Sequence, residues 1–153
     1  MASTLTNLLY HLVFSTKGRL PLIGDEIQQP LYDYMGGIIR NQGGKAIEIG
    51  GMPDHVHCLA RLPARKPVSD ILRALRSDSV GWVNRERSSD RFAWQTGYGA
   101  FTVSQSQVGK VRNYIQTQEE HHRGKSFEMD FLALLKKHGI ECDEEFLFDC
   151  RAQ

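Results

Sequence analysis

The chain lacks any long hydrophobic run, and this absence argues against a membrane-spanning helix. The apolar stretch from Leu8 to Phe14 contains a histidine and is far shorter than the roughly 20 residues that cross a bilayer. It is also too short for a signal peptide, so we expect none. With 153 residues, 41% of them hydrophobic and 24% charged, the composition is typical of a soluble globular protein with a single domain.

Cysteine is scarce as well. The three cysteines, Cys58, Cys142 and Cys150, are odd in number and form no CxxC pair. A disulfide framework needs pairs and a zinc knuckle needs closely spaced cysteines, so we expect neither. The sequence also contains no internal repeat and no low-complexity linker. Together these features predict a reduced, cytoplasmic protein.

The net charge is only +1, but it is unevenly distributed. Residues 1–118 contain 14 Lys and Arg against 9 Asp and Glu, whereas residues 119–153 contain 5 against 9. A basic body with an acidic tail is compatible with a nucleic-acid partner. On charge alone, an ordinary mixed and solvated surface is the favoured interpretation.

Hydrophobic periodicity predicts four strands and four helices. The strands are expected at residues 8–15, 46–50 and 98–104, with one more starting at His55. The helices are expected at residues 25–41, from a Ser69 cap through Val83, from a Ser106 cap to about His122, and at residues 127–138. Because Pro30 interrupts the first helical pattern, the regular helix is expected to begin there. The order β-α-β-β-α-β is the ferredoxin-like signature, an α+β fold in which helices cover a largely antiparallel sheet.

Two histidines lie one residue apart in the third strand. Because strand side chains alternate, His55 and His57 point the same way, while Val56 and Cys58 face the core on the other side. Two neutral imidazoles side by side are half of a divalent-metal site. A histidine-triad hydrolase would need a third alternating histidine, but that position is Leu59. Alone, the pattern is a weak signal, and two partly exposed strand histidines are the favoured interpretation.

A second pair of residues adds a reactive group. Tyr114 and Gln118 are four residues apart in a predicted helix, so they lie on one face, one turn from each other. An ion held by two imidazoles and an amide oxygen keeps most of its positive charge, which suits it to polarising a phosphate. Tyrosine is a weak nucleophile at neutral pH, so a metal-activated phosphodiester is a sensible target. The product would be a phosphotyrosine that conserves bond energy and permits strand transfer.

Basic residues provide candidate contacts for DNA phosphates. The six candidates are Lys17, Arg19, Arg61, Arg65, Arg73 and Arg76. For Arg73 and Arg76, taken together with Arg61, Arg65 and Lys66, a phosphate-binding edge and a solvated helix face are equally good explanations.

These motifs together resemble the HUH single-tyrosine transposases of bacterial insertion sequences, the TnpA-like or Y1-type family, and the related palindrome-associated tyrosine transposases. The family's histidine motif is matched by His55-Val56-His57, preceded by Met52-Pro53-Asp54, and its helix motif by Tyr114 and Gln118. The opening Tyr10-His11-Leu12-Val13-Phe14-Ser15-Thr16-Lys17 also resembles the family's first strand. The resemblance covers roughly residues 5 to 120, in order.

The resemblance implies a metal-dependent enzyme that nicks and joins single-stranded DNA at hairpin ends through a 5′-phosphotyrosine. Tyr114 would be the nucleophile, and His55, His57 and Gln118 would bind Mg²⁺ or Mn²⁺. It also implies a homodimer in which one subunit's tyrosine helix can serve the other's histidines. A catalytic core over about residues 5–124 would be followed, within one domain, by a C-terminal helical extension at 125–153.

Other interpretations stay open at this point. A non-mobile relative that processes chromosomal palindromes would share the same motifs. A non-catalytic ferredoxin-like module that stacks bases would use Tyr10, Phe14 and Tyr98. His121 and His122 are further potential ligands, although solvated helix-end histidines are the favoured interpretation.

Overall fold

Four strands form one antiparallel sheet in the part of the chain that the structure, a computed structural model, describes (residues 3–142). They are β1 (Leu8–Ser15), β2 (Lys45–Met52), β3 (His55–Leu62) and β4 (Gly99–Val103). The sheet order is β2-β3-β1-β4, and every neighbouring pair is antiparallel. The predicted ferredoxin-like α+β fold is confirmed. Cys150 and the part of the acidic tail from residue 143 onward lie outside the described residues.

Two long helices cover one face of the sheet. They are α1 (Asp25–Asn41) and α2 (Val68–Glu86). Alternate residues of the two central strands, among them Leu12, Phe14 and Val56, are buried against these helices. Burial of each such side chain contributes roughly 1.5–3 kcal/mol, so this layer is the main hydrophobic core. No helix in the described part of the chain is long and apolar enough to cross a membrane.

The starts of both helices differ from the prediction. α1 begins at Asp25 and continues through Pro30, so the expectation that it starts at the proline was wrong. A proline near a helix start removes only one backbone hydrogen bond, which the rest of a 17-residue helix tolerates. α2 begins at Val68 with Pro67 as its N-cap, so Ser69 lies in the first turn and does not cap the helix.

Three shorter helices cover the opposite face. They are α3 (Val108–Gln116), α4 (Gln118–His121) and α5 (Phe127–Lys137). The sequence predicted one helix from a Ser106 cap to His122, but a 3₁₀ turn at Gln105–Gln107 comes first and Thr117 interrupts the helix. The dihedral angles of Thr117, φ −105° and ψ 27°, are not helical. The prediction for α5 was accurate, with Ser126 as a cap that accepts a hydrogen bond from the Met129 N–H.

Two glycines bring these helices close to the sheet. A Cβ atom at Gly50, which pairs with His57 across the sheet, would lie 2.8 Å from the carbonyl oxygen of Ile115 in α3. A Cβ atom at Gly99 would lie 2.7 Å from the ring of Phe131 in α5. Any larger residue at either position would push its helix away. The absence of a side chain at these two positions therefore lets α3 and α5 approach the sheet closely.

Candidate active site

His55 and His57 lie on the face of the sheet that α3–α5 cover. Both are fully buried, with 1% and 0% of their surfaces exposed, so the alternative of partly exposed histidines was wrong. Val56 and Cys58 are buried on the opposite face, in the main core, as the alternation predicted. The cost of burying polar rings falls when their nitrogen atoms find partners, and most of these nitrogens do.

Gln118 joins the two histidines from the start of α4. Its Nε2 donates to the carbonyl oxygen of Tyr114 (3.1 Å), which turns its Oε1 towards the imidazoles. That oxygen lies 3.2 Å from His55 Nε2 and 2.9 Å from His122 Nε2. The structure therefore brings His55 and Gln118 together, and it adds His122 to them.

Outer contacts determine which ring nitrogen of His55 and His122 carries the proton. His55 Nδ1 lies 2.7 Å from an Asp54 carboxylate oxygen, and His122 Nδ1 lies 2.8 Å from the Lys125 carbonyl oxygen. Both partners can only accept, so each Nδ1 donates. Burial by itself would raise the pKa of Asp54, but the hydrogen bond from His55, a backbone hydrogen bond and the nearby His55 and His122 together lower the pKa, so the group is a carboxylate. When either ring is neutral, its Nε2 presents a lone pair to Gln118.

His57 is oriented by another histidine. Its Nδ1 lies 2.8 Å from Nε2 of His11, on the neighbouring strand. Burial lowers the pKa of His57 well below its usual value, with help from nearby histidines including His11. Burial, with a contribution from His138, also lowers the pKa of His11 to about 4. Both rings are therefore neutral at pH 7, and His57 Nε2 is buried without a hydrogen-bond partner among the described residues.

These atoms fit a metal ion. Nitrogen atoms of His55, His57 and His122, which we call the histidine cluster, all lie within 4.8 Å of one another. Neutral imidazoles would turn lone pairs towards one another and towards an amide oxygen, an arrangement that a cation between them stabilises. Imidazole and amide ligands suit divalent transition metals. The donor set therefore fits an ion held by the histidine cluster and Gln118.

The expectation for His122 was wrong. Its side chain is only 6% exposed and is not a solvated helix-end histidine. His121 is also engaged, because its Nε2 lies 2.7 Å from Asp130. The four-residue spacing between Gln118 and His122 was the available signal, since it places both side chains on one helical face. The sequence could not reveal that α5 would cover that face.

Tyr114 lies beside the histidine cluster of its own chain. Its ring centroid is 5.3 Å from that of His57, and its hydroxyl donates a hydrogen bond to the carboxylate of Asp130 in α5. Burial raises the pKa of Tyr114 well above its usual value, and Asp130 raises it further. The hydroxyl is therefore protonated at neutral pH. Its position is determined by the hydrogen bond to Asp130.

Asp130 is the site residue that the sequence analysis missed. It is 4% exposed and contacts Tyr114 and His121. One of its carboxylate oxygens also lies 3.9 Å from His57 Nε2 and 3.8 Å from His122 Nε2. A carboxylate within the apolar stripe of α5, between Phe127 and Phe131, was the signal that could have found it. Asp130 thus connects the tyrosine hydroxyl to the histidine cluster.

The six basic residues predicted to contact DNA are dispersed. Arg19 lines a cavity of about 420 Å³ together with His55 and His122, and it forms an ion pair with Glu128. Lys17 lies in the same 3₁₀ turn, Lys17–Arg19. Arg61 is exposed in β3, where its Nε donates to Asn7, and Arg65 follows β3. Arg73 and Arg76 lie on α2, across the sheet from the site.

Arg76 has internal contacts. It donates a hydrogen bond to the carbonyl oxygen of Gln95, and its guanidinium lies 5.9 Å from the ring centroids of both Phe14 and Tyr98. Burial lowers its pKa.

Phe14 is itself only 2% exposed, so it does not stack bases from the surface. This observation removes one of the three aromatics on which the base-stacking alternative depended.

Comparison with known proteins agrees with this geometry. The family model described as "Transposase IS200 like" matches residues 4–118. The ISDra2 transposase TnpA of Deinococcus radiodurans is 28% identical over 117 residues, which are 72% of this chain and 84% of that protein. The transposase of insertion sequence IS200 from Salmonella typhimurium is 24% identical over 80% of this chain and 84% of its own length.

Solved structures share the fold. A crystal structure of a candidate transposase from Deinococcus radiodurans R1 has a TM-score of 0.62 and 25% identity, and the match covers 77% of this chain and 95% of that one. The REP-associated tyrosine transposase bound to a REP hairpin has a TM-score of 0.61 and 14% identity, covering 80% and 73%. The resemblance seen in the motifs is confirmed, and this chain belongs to the IS200-like transposase family.

Proposed function

We propose that this protein cleaves and rejoins single-stranded DNA in a metal-dependent reaction, through a covalent bond to Tyr114. The observation that carries the proposal is the contact of the Tyr114 hydroxyl with Asp130, whose carboxylate lies within 4 Å of two imidazoles of the histidine cluster. A nucleophile and a set of metal ligands in one buried site suit phosphodiester transfer. Membership of a transposase family supports the same class of reaction.

The proposed metal ligands are His55, His57 and Gln118, together with His122. Mg²⁺ and Mn²⁺ are the candidate ions, and three imidazoles favour Mn²⁺ because nitrogen ligands suit it better than Mg²⁺. When bound, the ion would polarise a phosphate oxygen and so make the phosphorus more electrophilic. The chain's own contribution is orientation, since the outer hydrogen bonds turn each Nε2 towards the same point.

Tyr114 makes the bond that replaces the one broken in DNA. Its phenolic oxygen bonds to phosphorus, and the bond between phosphorus and the 3′ oxygen of the departing strand breaks. The phenolic proton is released, and the 3′ oxygen takes up a proton to become a free 3′-hydroxyl. The resulting 5′-phosphotyrosine conserves the phosphodiester energy, so a second 3′-hydroxyl can attack it and rejoin the strands. Asp130 holds the phenolic hydroxyl in position before attack.

Hairpin ends are the proposed substrate. The REP-associated tyrosine transposase, which has a similar fold, was solved bound to a REP hairpin. The proposed phosphate contacts in this chain are Lys17, Arg19, Arg61, Arg65, Arg73 and Arg76.

Two biological roles use this chemistry: movement of the element that encodes the protein, and processing of palindromes that stay fixed in a chromosome. Excision of a hairpin-flanked segment from a plasmid separates them, because only the first role requires it.

We also propose a two-fold symmetric homodimer. The tyrosine helix and the histidine strand are distant in the chain, so they can in principle be exchanged between two subunits. The Tyr114 ring lies against His57 of the same chain, so such an exchange requires α3 and α4 to move away from β3. Light scattering after gel filtration is expected to give twice the chain mass of 17.4 kDa. A monomer at micromolar concentration would contradict this proposal and leave the chemistry untouched.

The test of the chemistry is a denaturing gel of protein mixed with labelled single-stranded hairpin DNA and Mn²⁺. Wild type is expected to give a slowly migrating adduct and a fragment with a free 3′-hydroxyl. Tyr114→Phe removes only the hydroxyl, so adduct formation should vanish while DNA binding persists. The matched control is Tyr34→Phe, a tyrosine that packs on Trp82 across the sheet from the site. An adduct that persists in Tyr114→Phe identifies another nucleophile, and cleavage without an adduct indicates hydrolysis.

A further inference from the structure

A cavity of about 500 Å³ opens beside Tyr114, and we call it the Tyr114 cavity. Residues of β4, α3 and α5 line it, together with Lys125 from the segment before α5. Its volume is in the range of small-molecule sites, about 300–1,000 Å³. A second cavity lies beside His55 and His122 and shares Lys125 with it. Tyr114 therefore lines a cavity that the histidine cluster does not line.

The charge of the Tyr114 cavity suits an anion. Three lysines line it from different parts of the chain: Lys110 in α3, Lys125 before α5 and Lys137 in α5. Asp130 is the only acid among the described residues that line it, and its carboxylate already contacts Tyr114 and His121. Three ammonium groups against one engaged carboxylate attract a phosphate.

The cavity also offers apolar surface of the kind that a base or sugar contacts. Val103, Val111 and Leu134 line it and are each half-buried. A free phosphate would use the lysines and leave these side chains without a contact. A nucleotide would use both, because it combines an anionic phosphate with a flat apolar base. The lining thus favours a nucleotide over a simple anion.

The geometry of the attack on phosphorus indicates which nucleotide of the cleaved DNA lies in the Tyr114 cavity. In a displacement at phosphorus, the nucleophile and the leaving oxygen lie on opposite sides of the phosphorus atom. The departing 3′ oxygen therefore points away from Tyr114, whereas the nucleotide bonded through its 5′-phosphate stays attached beside it. We propose that the Tyr114 cavity binds this retained nucleotide, the first one on the 5′-phosphate side of the cleaved bond. The proposal rests on the proposed function.

Much of this subsite comes from outside the region that the family model matches. The match ends at residue 118, whereas Lys125, Leu134 and Lys137 line the cavity from beyond it. Because of this, preference at the retained nucleotide is expected to depend on α5. The same helix supplies Asp130, so one element both orients the Tyr114 hydroxyl and forms the wall against which the nucleotide lies.

The first test measures binding without chemistry. Nuclear magnetic resonance titrations of the full chain would use the four deoxynucleoside 5′-monophosphates, with inorganic phosphate for comparison. At least one 5′-monophosphate is expected to bind more tightly than phosphate and to shift resonances of Leu134 and Val111. Lys137→Ala should weaken that binding about fivefold, the effect of one partly exposed charge contact. Lys136→Ala is the matched control, since Lys136 is exposed on the same helix but does not line the cavity.

A second variant fills the space itself. Val111→Trp should obstruct the cavity and reduce nucleotide affinity more than tenfold, while leaving phosphate binding close to wild type. Val108→Trp introduces the same side chain on α3 at a residue that lines a different cavity, so it controls for a general effect on that helix. Equal losses in the members of either pair, or equal affinity for nucleotide and phosphate, would overturn the subsite.

The third test links the subsite to the reaction. The 4-nitrophenyl ester of thymidine 5′-phosphate would react at Tyr114, which forms the phosphotyrosine bond and displaces 4-nitrophenolate. Mass spectrometry is expected to find thymidine phosphate on Tyr114, with a rate about tenfold above that for methyl 4-nitrophenyl phosphate, and Val111→Trp should remove this ratio. Adducts with hairpin DNA but equal rates for both esters would refute the subsite alone. Wild type that forms no adduct with any substrate would refute the proposed function instead.

Discussion

The sheet has two covered faces, and they differ in what is buried beneath the helices. Between the sheet and helices α1 and α2, the buried side chains are almost all hydrophobic. On the face covered by α3–α5 they include His11, His57, Gln118 and Asp130. Apolar burial needs only shape and volume, whereas each buried polar atom needs a partner of the right kind. The apolar face therefore supplies most of the stability, and the polar face holds the residues of the proposed reaction.

This comparison predicts that substitutions on the two faces have different consequences. On the apolar face, a truncation should lower stability and affect activity only through unfolding. On the polar face, a substitution should change metal binding or catalysis while the fold persists.

The largest effect is expected from Phe14→Ala on the apolar face. Phe14 packs edge-to-face against Trp94 at a centroid distance of 4.7 Å in the main core. Removal of a buried ring leaves a cavity and should cost about 3–5 kcal/mol in the free energy of unfolding, measured by urea denaturation. Leu20→Ala, at an exposed position, is the control and should change it by less than about 0.5 kcal/mol. Similar losses in both variants would contradict the assignment of the core.

Next, His57→Ala should remove metal binding while the protein stays folded. The substitution deletes the buried Nε2, which has no hydrogen-bond partner among the described residues, and also the hydrogen bond between His57 Nδ1 and His11. Stability should therefore fall by about 1–3 kcal/mol, and circular dichroism would check that the variant is folded. Affinity for Mn²⁺, measured by competition with a chelating dye, is expected to fall at least a hundredfold, which is about 2.7 kcal/mol. The control is His138→Ala, because His138 is an exposed histidine that is not part of the histidine cluster. Unchanged Mn²⁺ affinity in His57→Ala would disprove the metal site.

A smaller effect should distinguish two adjacent histidines. His122→Ala removes a member of the histidine cluster and is expected to weaken Mn²⁺ binding about tenfold, or 1.4 kcal/mol. His121→Ala instead removes a contact to Asp130 and should leave the affinity for Mn²⁺ within about twofold. Titration of both variants with Mn²⁺ gives the answer directly. If His122→Ala lost no more affinity for Mn²⁺ than His121→Ala, His122 would be only a packing residue. The proposed ligands would then be His55, His57 and Gln118.

The smallest effect is expected from Arg73→Ala, far from the polar face. Arg73 is exposed on α2 and pairs only with Asp70, at 3.3 Å, among the ion pairs within the described residues. If it contacts a DNA phosphate, its loss should flatten the salt dependence of hairpin binding by about one unit of slope. Arg85→Ala, on the same helix, controls for general charge, and an unchanged slope for Arg73→Ala would make it a solvated surface residue. Arg76 is unsuitable because its internal contacts would confound the result.

The order of strands and helices along the chain was predictable because the periodicities of strands and helices are local properties of the sequence. The alternation around His55 and His57 determined that both rings share a face, and the structure confirms this. The spacing of Tyr114 and Gln118 placed them together even though Thr117 interrupts the helix between them. Such arguments need only the residues within one turn or one strand, which the sequence contains.

The residues that these side chains contact depend on the tertiary structure. His11 contacts His57 because β1 pairs with β3 in one register, and Asp130 reaches Tyr114 because α5 packs over the same face. The close approach of α3 and α5 to the sheet at Gly50 and Gly99 likewise depends on residues far apart in the chain. By itself the sequence determined the order of elements, the shared face of the histidines and the family motifs. The burial of the site and the contacts of His122 and Asp130 followed only from packing, because they depend on contacts between elements that no local period encodes.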